Sequence, residues 1–294
     1  MKKIKTLVVN TILLITAVAV MTGCGRETTV STSAESNNKK VIENKKETNG
    51  GEKPDIPTVE KNTQKPVQTP PVVEQKPSPT PITPKVNGKV IVIDPGHASR
   101  SNMQTEPQAP GSNVMKIKDG GGAQGIATRT PEYLINMNVS IKLKQYLEHK
   151  GYTVKMTKTD NSLSLGNVER ANIWNEANAA LAIRIHADSS ENSSVQGASM
   201  LVPSTQMECT RPIYSESKRC GGIVLNSLIK EVGMRNRNVI EADNMTGFNW
   251  SRVPVILVEM GFLSNPDEDR LLSSSDYEDR VAKALADGIA EAIK

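Results

Sequence analysis

From about residue 86 onward, short apolar runs alternate with longer stretches in which apolar residues return every three or four positions. Val90, Ile91, Val92 and Ile93 lead into Asp94-Pro95-Gly96-His97, and Leu181-Ala182-Ile183-Arg184-Ile185 leads into His186. A third run, residues 253–258, leads into Glu259. Short apolar runs bounded by turn-forming residues fit buried strands. The stretch 130–151 reads as a helix: Pro131 stands at its first position with Glu132 just after, and Gly151 closes it. Ile135, Val139, Leu143 and Leu147, with Tyr146 beside them, form a single apolar stripe along it. The same patterning predicts a strand at 154–157, a helix at 168–178, a strand at 198–202, a helix at 217–232 and a terminal helix at 277–293 that buries Val281, Leu285 and Ile289. Strands alternating with helices predict an α/β fold, a twisted and mostly parallel sheet flanked by helices on both faces, in one domain over 86–294.

The residues before this domain read differently. Lys2, Lys3 and Lys5 precede a mostly apolar stretch, interrupted by Asn10, that is shorter than the roughly 20 residues a membrane-spanning helix needs. Residues 1–23 are therefore expected to be an export signal. Thr22-Gly23 before Cys24 resembles the lipid-attachment box of bacterial lipoproteins, although Met21 replaces the usual leucine. The expected location is the outer face of the bacterial cytoplasmic membrane, held by a lipid on Cys24. A signal anchor, or plain secretion with an incidental cysteine, is the alternative. Residues 24–85 are rich in Pro, Thr, Ser, Lys, Gln and Glu and contain no aromatic residue. Such a segment buries too little surface to offset its ordering entropy, which predicts a disordered, proline-stiffened tether.

Charge divides the same way. Of 36 basic and 32 acidic residues, 13 and 8 lie at or before Lys85, leaving 23 and 24 in the domain. The net charge of +4 thus belongs to the leader and tether. A near-neutral domain lacks the basic face that nucleic-acid binding requires. Cys209 lies in a stretch, 203–216, that reads as irregular, and Cys220 in the first turn of the helix expected after it. In an exported protein the two could pair as a disulfide or remain free.

The chain holds only three histidines, and two of them, His97 and His186, follow strand-like runs. In an open α/β sheet, groups at the carboxyl ends of parallel strands converge on one crevice. Hydrolytic zinc sites commonly use three protein ligands and leave a position for water. His97 and His186 supply two. Glu132 is assigned as the third, because the first turn of a helix after a glycine-rich loop can bring a carboxylate to the sheet edge. Zinc lowers the pKa of bound water to about 7, and Glu259 is expected to take the proton and return it to the departing amine. Blander readings exist. Glu132 could simply complement a helix dipole, and a lone histidine at a strand end is often structural. Glu259, directly after four apolar residues, must find a partner or bear desolvation. His149, near a helix C-terminus, receives no catalytic role. Asp119-Gly120-Gly121-Gly122 lacks the ending of a phosphate loop and reads as a mobile segment beside the site.

Five stretches, in order, resemble the zinc-dependent N-acetylmuramoyl-L-alanine amidases of bacterial cell walls. They are Ile93-Asp94-Pro95-Gly96-His97, Glu132 opening a helix, Arg170-Ala171-Asn172, Ile185-His186-Ala187-Asp188, and Val258-Glu259-Met260-Gly261-Phe262-Leu263-Ser264-Asn265. The resemblance implies zinc held by His97, Glu132 and His186, with Glu259 as catalytic acid and base. It implies cleavage of the amide between the lactyl group of N-acetylmuramic acid and L-alanine in peptidoglycan. Two features depart from the family pattern: Arg184 stands where serine is more usual, and the stretch around Cys209 is atypical. The alternatives are an inactive peptidoglycan-binding relative, a zinc peptidase acting on stem peptides, or a solute-binding surface lipoprotein.

Overall fold

The computed structural model describes residues 87–294. The expected signal, Cys24 and the tether lie outside the described residues. The first half of the domain contains β1 (Val90–Pro95), β2 (Asn102–Pro107), β3 (Met115–Asp119), α1 (Glu132–His149), β4 (Thr153–Met156), α2 (Asn167–Glu176) and β5 (Leu181–Asp188). The second half contains β6 (Ala198–Pro203), α3 (Arg211–Val232), β7 (Asn236–Ala242), α4 (Thr246–Asn249), β8 (Val255–Phe262), α5 (Pro266–Leu272) and α6 (Ser275–Ala292). The main sheet runs β4-β1-β5-β8-β6-β7, and β2 pairs with β3 in a separate two-stranded sheet. Within the main sheet only the β6–β8 pairing is antiparallel. The mostly parallel α/β sheet expected from the sequence is therefore present.

Successive strand residues point to opposite faces, and both faces are covered. Ile91, Ile93, Ile183, Ile185, Ile256 and Val258 pack against α1, α3 and α6. Val92, Ala182, Val255 and Leu257 join Trp174 of α2 and Phe248 of α4 on the other side. Two-sided burial is why β1, β5 and β8 read as continuous apolar runs. The stripe of α1, Ile135, Val139, Leu143 and Leu147, is fully buried, as are Val281, Leu285 and Ile289 of α6.

Several boundaries differ from those expected. Helix α3 starts at Arg211, with Pro212 in its first turn, and a 3-10 turn at Glu208–Thr210 precedes it. The stretch 203–216 is therefore largely helical, and Cys220 lies well inside α3. Nine helical steps lead from Arg211 to Cys220, about 13 Å along the axis, whereas bridged cysteines have Cα atoms within about 7 Å. Cys209 and Cys220 are accordingly free thiols. Pro131 caps α1 rather than opening it, so Glu132 is its first residue. Strand β8 runs on past Glu259 to Phe262. Asp119, expected in a mobile segment, is the last residue of β3.

Candidate metal centre and proton-transfer site

Strand β1 delivers the chain to Gly96, whose N–H donates to the Ile185 carbonyl of β5 at 3.0 Å. His97 follows in a left-handed conformation, φ 58°, which costs a non-glycine residue roughly 1–2 kcal/mol. This conformation carries the imidazole towards the end of β5. Gly96 cannot be replaced without loss, because a Cβ there would run into the His186 ring. Gly122 faces the same restriction, since its Cβ would lie 2.8 Å from Glu132 Oε2 and 3.0 Å from His97 Cδ2. Bare backbone at these two positions lets the three polar side chains close together.

His97, Glu132 and His186 each offer one donor atom within 4.8 Å of the others, the only such group among the described residues. His97 Nε2 lies 3.4 Å from Glu132 Oε2, and His186 Nδ1 lies 3.2 Å from Glu132 Oε1. Donors about 2.1 Å from a tetrahedral zinc are separated by about 3.4 Å, so this spacing suits such an ion. The buried His186 Nε2 has no partner in the protein. Asp119 Oδ1 meets His97 Nδ1 at 2.9 Å, the arrangement that fixes the orientation of a metal-ligating imidazole.

Glu132 is held firmly. Its Oε2 accepts from the Ala123 N–H at 2.9 Å, and its Oε1 accepts from Asn136 Nδ2 at 3.1 Å and the Ala187 N–H at 3.2 Å. Burial opposes its charge, but the neighbouring imidazoles and these donors outweigh burial and hold the pKa down to about 2. Burial lowers His186 to about 4, keeping the ring neutral near pH 7. Both are the protonation states a metal requires of its ligands.

Glu259 is the registered neighbour of His186 across the β5–β8 pair. The two share a cavity of about 290 Å³ with His97, Asp119 and Arg184. Glu259 Oε2 is buried without a hydrogen-bond partner. Burial, reinforced by Glu132 and Asp188, raises its pKa well above the ordinary carboxylate range. A carboxyl group so placed keeps a proton more readily than an exposed one, which suits a general acid or base. A larger cavity, about 450 Å³, lies between α3 and α6 but contains none of these donors.

Beneath this row lies a buried charge cluster that sequence reasoning missed. Asp94 accepts from Arg170 Nη1 at 2.6 Å and from Arg184 Nε at 2.8 Å. Thr157 Oγ1 donates to the same carboxylate at 2.6 Å. Arg184, noted in the sequence only as a departure, and Arg170, only as part of a motif, thus flank one carboxylate. The polar interruption of the apolar β1 and β5 runs by Asp94 and Arg184 was the available signal.

A family model described as N-acetylmuramoyl-L-alanine amidase matches residues 91–291. The probable cell wall amidase LytH of Staphylococcus aureus is 24% identical over 208 residues, covering 69% of this chain and 58% of that protein. The chain thus spans less than two thirds of this curated relative. Among solved structures, the catalytic domain of CwlV, an N-acetylmuramoyl-L-alanine amidase from Bacillus (Paenibacillus) polymyxa var. colistinus, has a TM-score of 0.57 at 26% identity, covering 70% of this chain and 99% of that one. The amidase Ami1 of Mycobacterium smegmatis has a TM-score of 0.64 at 22% identity, covering 71% and 98%.

Proposed function

This chain belongs to the N-acetylmuramoyl-L-alanine amidase family, and on that premise we propose that it hydrolyses the amide between N-acetylmuramic acid and L-alanine of peptidoglycan with a zinc ion held by His97, Glu132 and His186. The observation that carries this reading is the clustering of those three donors beside an unpartnered Glu259 in one cavity. Bound zinc would supply a Lewis acid and water of lowered pKa. Glu259 takes the water proton on its carboxylate and passes it to the departing alanine nitrogen. Asp119 keeps the His97 ring turned so that Nε2 faces the cluster.

A pure peptidoglycan-binding relative has no use for a carboxyl whose Oε2 is sealed off without a partner next to such donors. A carboxypeptidase acting on stem peptides would share the zinc chemistry but yield only a shortened peptide. Digestion of purified muropeptides separates these readings. The amidase reading requires stem peptides with a new alanine N-terminus and intact glycan; a shortened peptide still joined to the glycan would refute it.

We further propose export to the cell wall and anchoring at the outer face of the membrane through an acylated Cys24, with residues 24–85 as the spacer. Two acyl chains suffice for stable attachment where one does not. Metabolic labelling with a fatty-acid analogue should mark the parent and not Cys24→Ser.

A further inference from the structure

Arg184 is almost fully buried, 4% exposed, yet it lines the same cavity as Glu259 and His186. Its position is set by strand register. Asp94, Arg184 and Leu257 are neighbours across β1, β5 and β8, two residues below His186 and Glu259. Nε of Arg184 donates to Asp94 Oδ2 at 2.8 Å and Nη2 to Asn167 Oδ1 at 3.0 Å. Among the described residues Nη1 donates to nothing, and it is not one of the atoms sealed from solvent without a partner. Gly247 of α4 keeps this nitrogen open, because a Cβ there would stand 3.0 Å from Nη1.

Asp94 faces two guanidinium groups, Arg170 and Arg184, and takes Nε of Arg184, so Nη1 is left free at the cavity floor, which Asp119 and Glu259 also line. A rigidly held guanidinium with an unshared N–H is a receptor for a carboxylate, and a charge-assisted hydrogen bond is the stronger kind.

We propose that Arg184 is a specificity residue whose Nη1 receives the free α-carboxylate of the second residue of the peptidoglycan stem peptide. The proposal rests on the amidase reading for the identity of the substrate. In such stems the second residue is a glutamate joined through its γ-carboxyl, so its α-group is either a carboxylate or a carboxamide. An extended peptide advances at most about 3.6 Å per residue, which puts that group on the order of 6 Å from the scissile nitrogen. Two residues along a strand span about 6.6 Å, the step from the His186 row to the Arg184 row. The two lengths match, so a stem running from the donor cluster towards the Arg184 row brings its α-carboxylate within reach of Nη1, and a carboxamide there offers a neutral oxygen where the carboxylate offers a charge-assisted hydrogen bond.

The test is calorimetric binding of L-alanyl-D-glutamate and of its α-carboxamide to the full chain, which needs no turnover. The parent should bind the acid at least about tenfold more tightly. Arg184→Gln should bring the ratio close to one. Gly247→Ala, which crowds Nη1 while keeping both guanidinium groups and Asp94 in the chain, should lower it as well. Equal binding of both dipeptides by the parent, or an undiminished ratio in both variants, overturns the proposal; an undiminished ratio would point to direct capture by the metal. Melting temperatures of the two variants identify any that fails to fold, and the parent's own ratio stands as evidence without them. Muropeptide cleavage by the parent reports separately on the amidase reading.

Discussion

Asp119 holds His97: Oδ1 of the carboxylate lies 2.9 Å from Nδ1 of the ring, leaving Nε2 to face Glu132 Oε2 at 3.4 Å. The carboxylate stands at the end of the β2–β3 hairpin, so an element outside the main sheet sets the direction of a candidate ligand within it.

Removing this hold should weaken metal binding without removing a ligand. Asp119→Ala is expected to lower zinc affinity about 10- to 100-fold, measured by competition with a chromophoric chelator. Unchanged affinity would mean that His97 is oriented by the backbone alone.

Glu259→Gln should retain zinc and lose turnover by roughly 10²- to 10⁴-fold, the usual contribution of a positioned acid or base. His97→Ala should lose zinc itself. Zinc content by elemental analysis, together with muropeptide turnover, distinguishes the two. A glutamine variant as fast as the parent would show that the proton travels by another group.

The placement of His97, His186 and Glu259 was legible because each follows an apolar run, and a run buried on both faces needs no further context to be recognised. Glu132 was legible from the proline and the stripe that begin α1. The role of Asp119 was not, because β2 and β3 have largely exposed side chains, including Met103, Met115 and Ile117, and so carry no burial pattern. Strand β7, an edge strand with no buried residue, escaped for the same reason. The start of α3 was placed too late because residues 211–216 contain little apolar periodicity; Pro212 was the cue for a first turn. The pairing of Asp94 with Arg170 and Arg184 joins three separate elements, which residue spacing along the chain does not reveal.

The metal-free protein should weaken with acid through His186. Burial, the largest cause, lowers its pKa to about 4 from an ordinary 6.5. Between these values the unfolded chain binds a proton that the folded chain refuses, so the stability present above about pH 6.5 is lost as pH falls towards 4. Glu259, shifted upward, acts with the opposite sign above its ordinary value, because the unfolded chain releases a proton that the folded chain keeps. The difference between the parent and His186→Gln isolates the first effect. In urea unfolding without metal, moving from about pH 7 to about pH 5 should cost the parent on the order of 2 kcal/mol more than the variant. Equal losses would contradict a neutral, buried His186.

The two cysteines of the domain should react as separate thiols. Cys220 is buried, and desolvation pushes its pKa up to about 11, while Cys209 is only half-buried. Alkylation of the folded protein should therefore mark Cys209 first and Cys220 only on unfolding, with no reductant needed. Failure of both to react in denaturant until reductant is added would restore the disulfide.

Removal and return of zinc tests the central claim most directly. The dialysed chain should release no stem peptide from peptidoglycan, and added zinc should restore release in proportion to occupancy, reaching its limit at one ion per chain, with His186→Ala unresponsive. Release that persists with the metal stripped away, or restoration undiminished in His186→Ala, would contradict a zinc centre built from His97, Glu132 and His186.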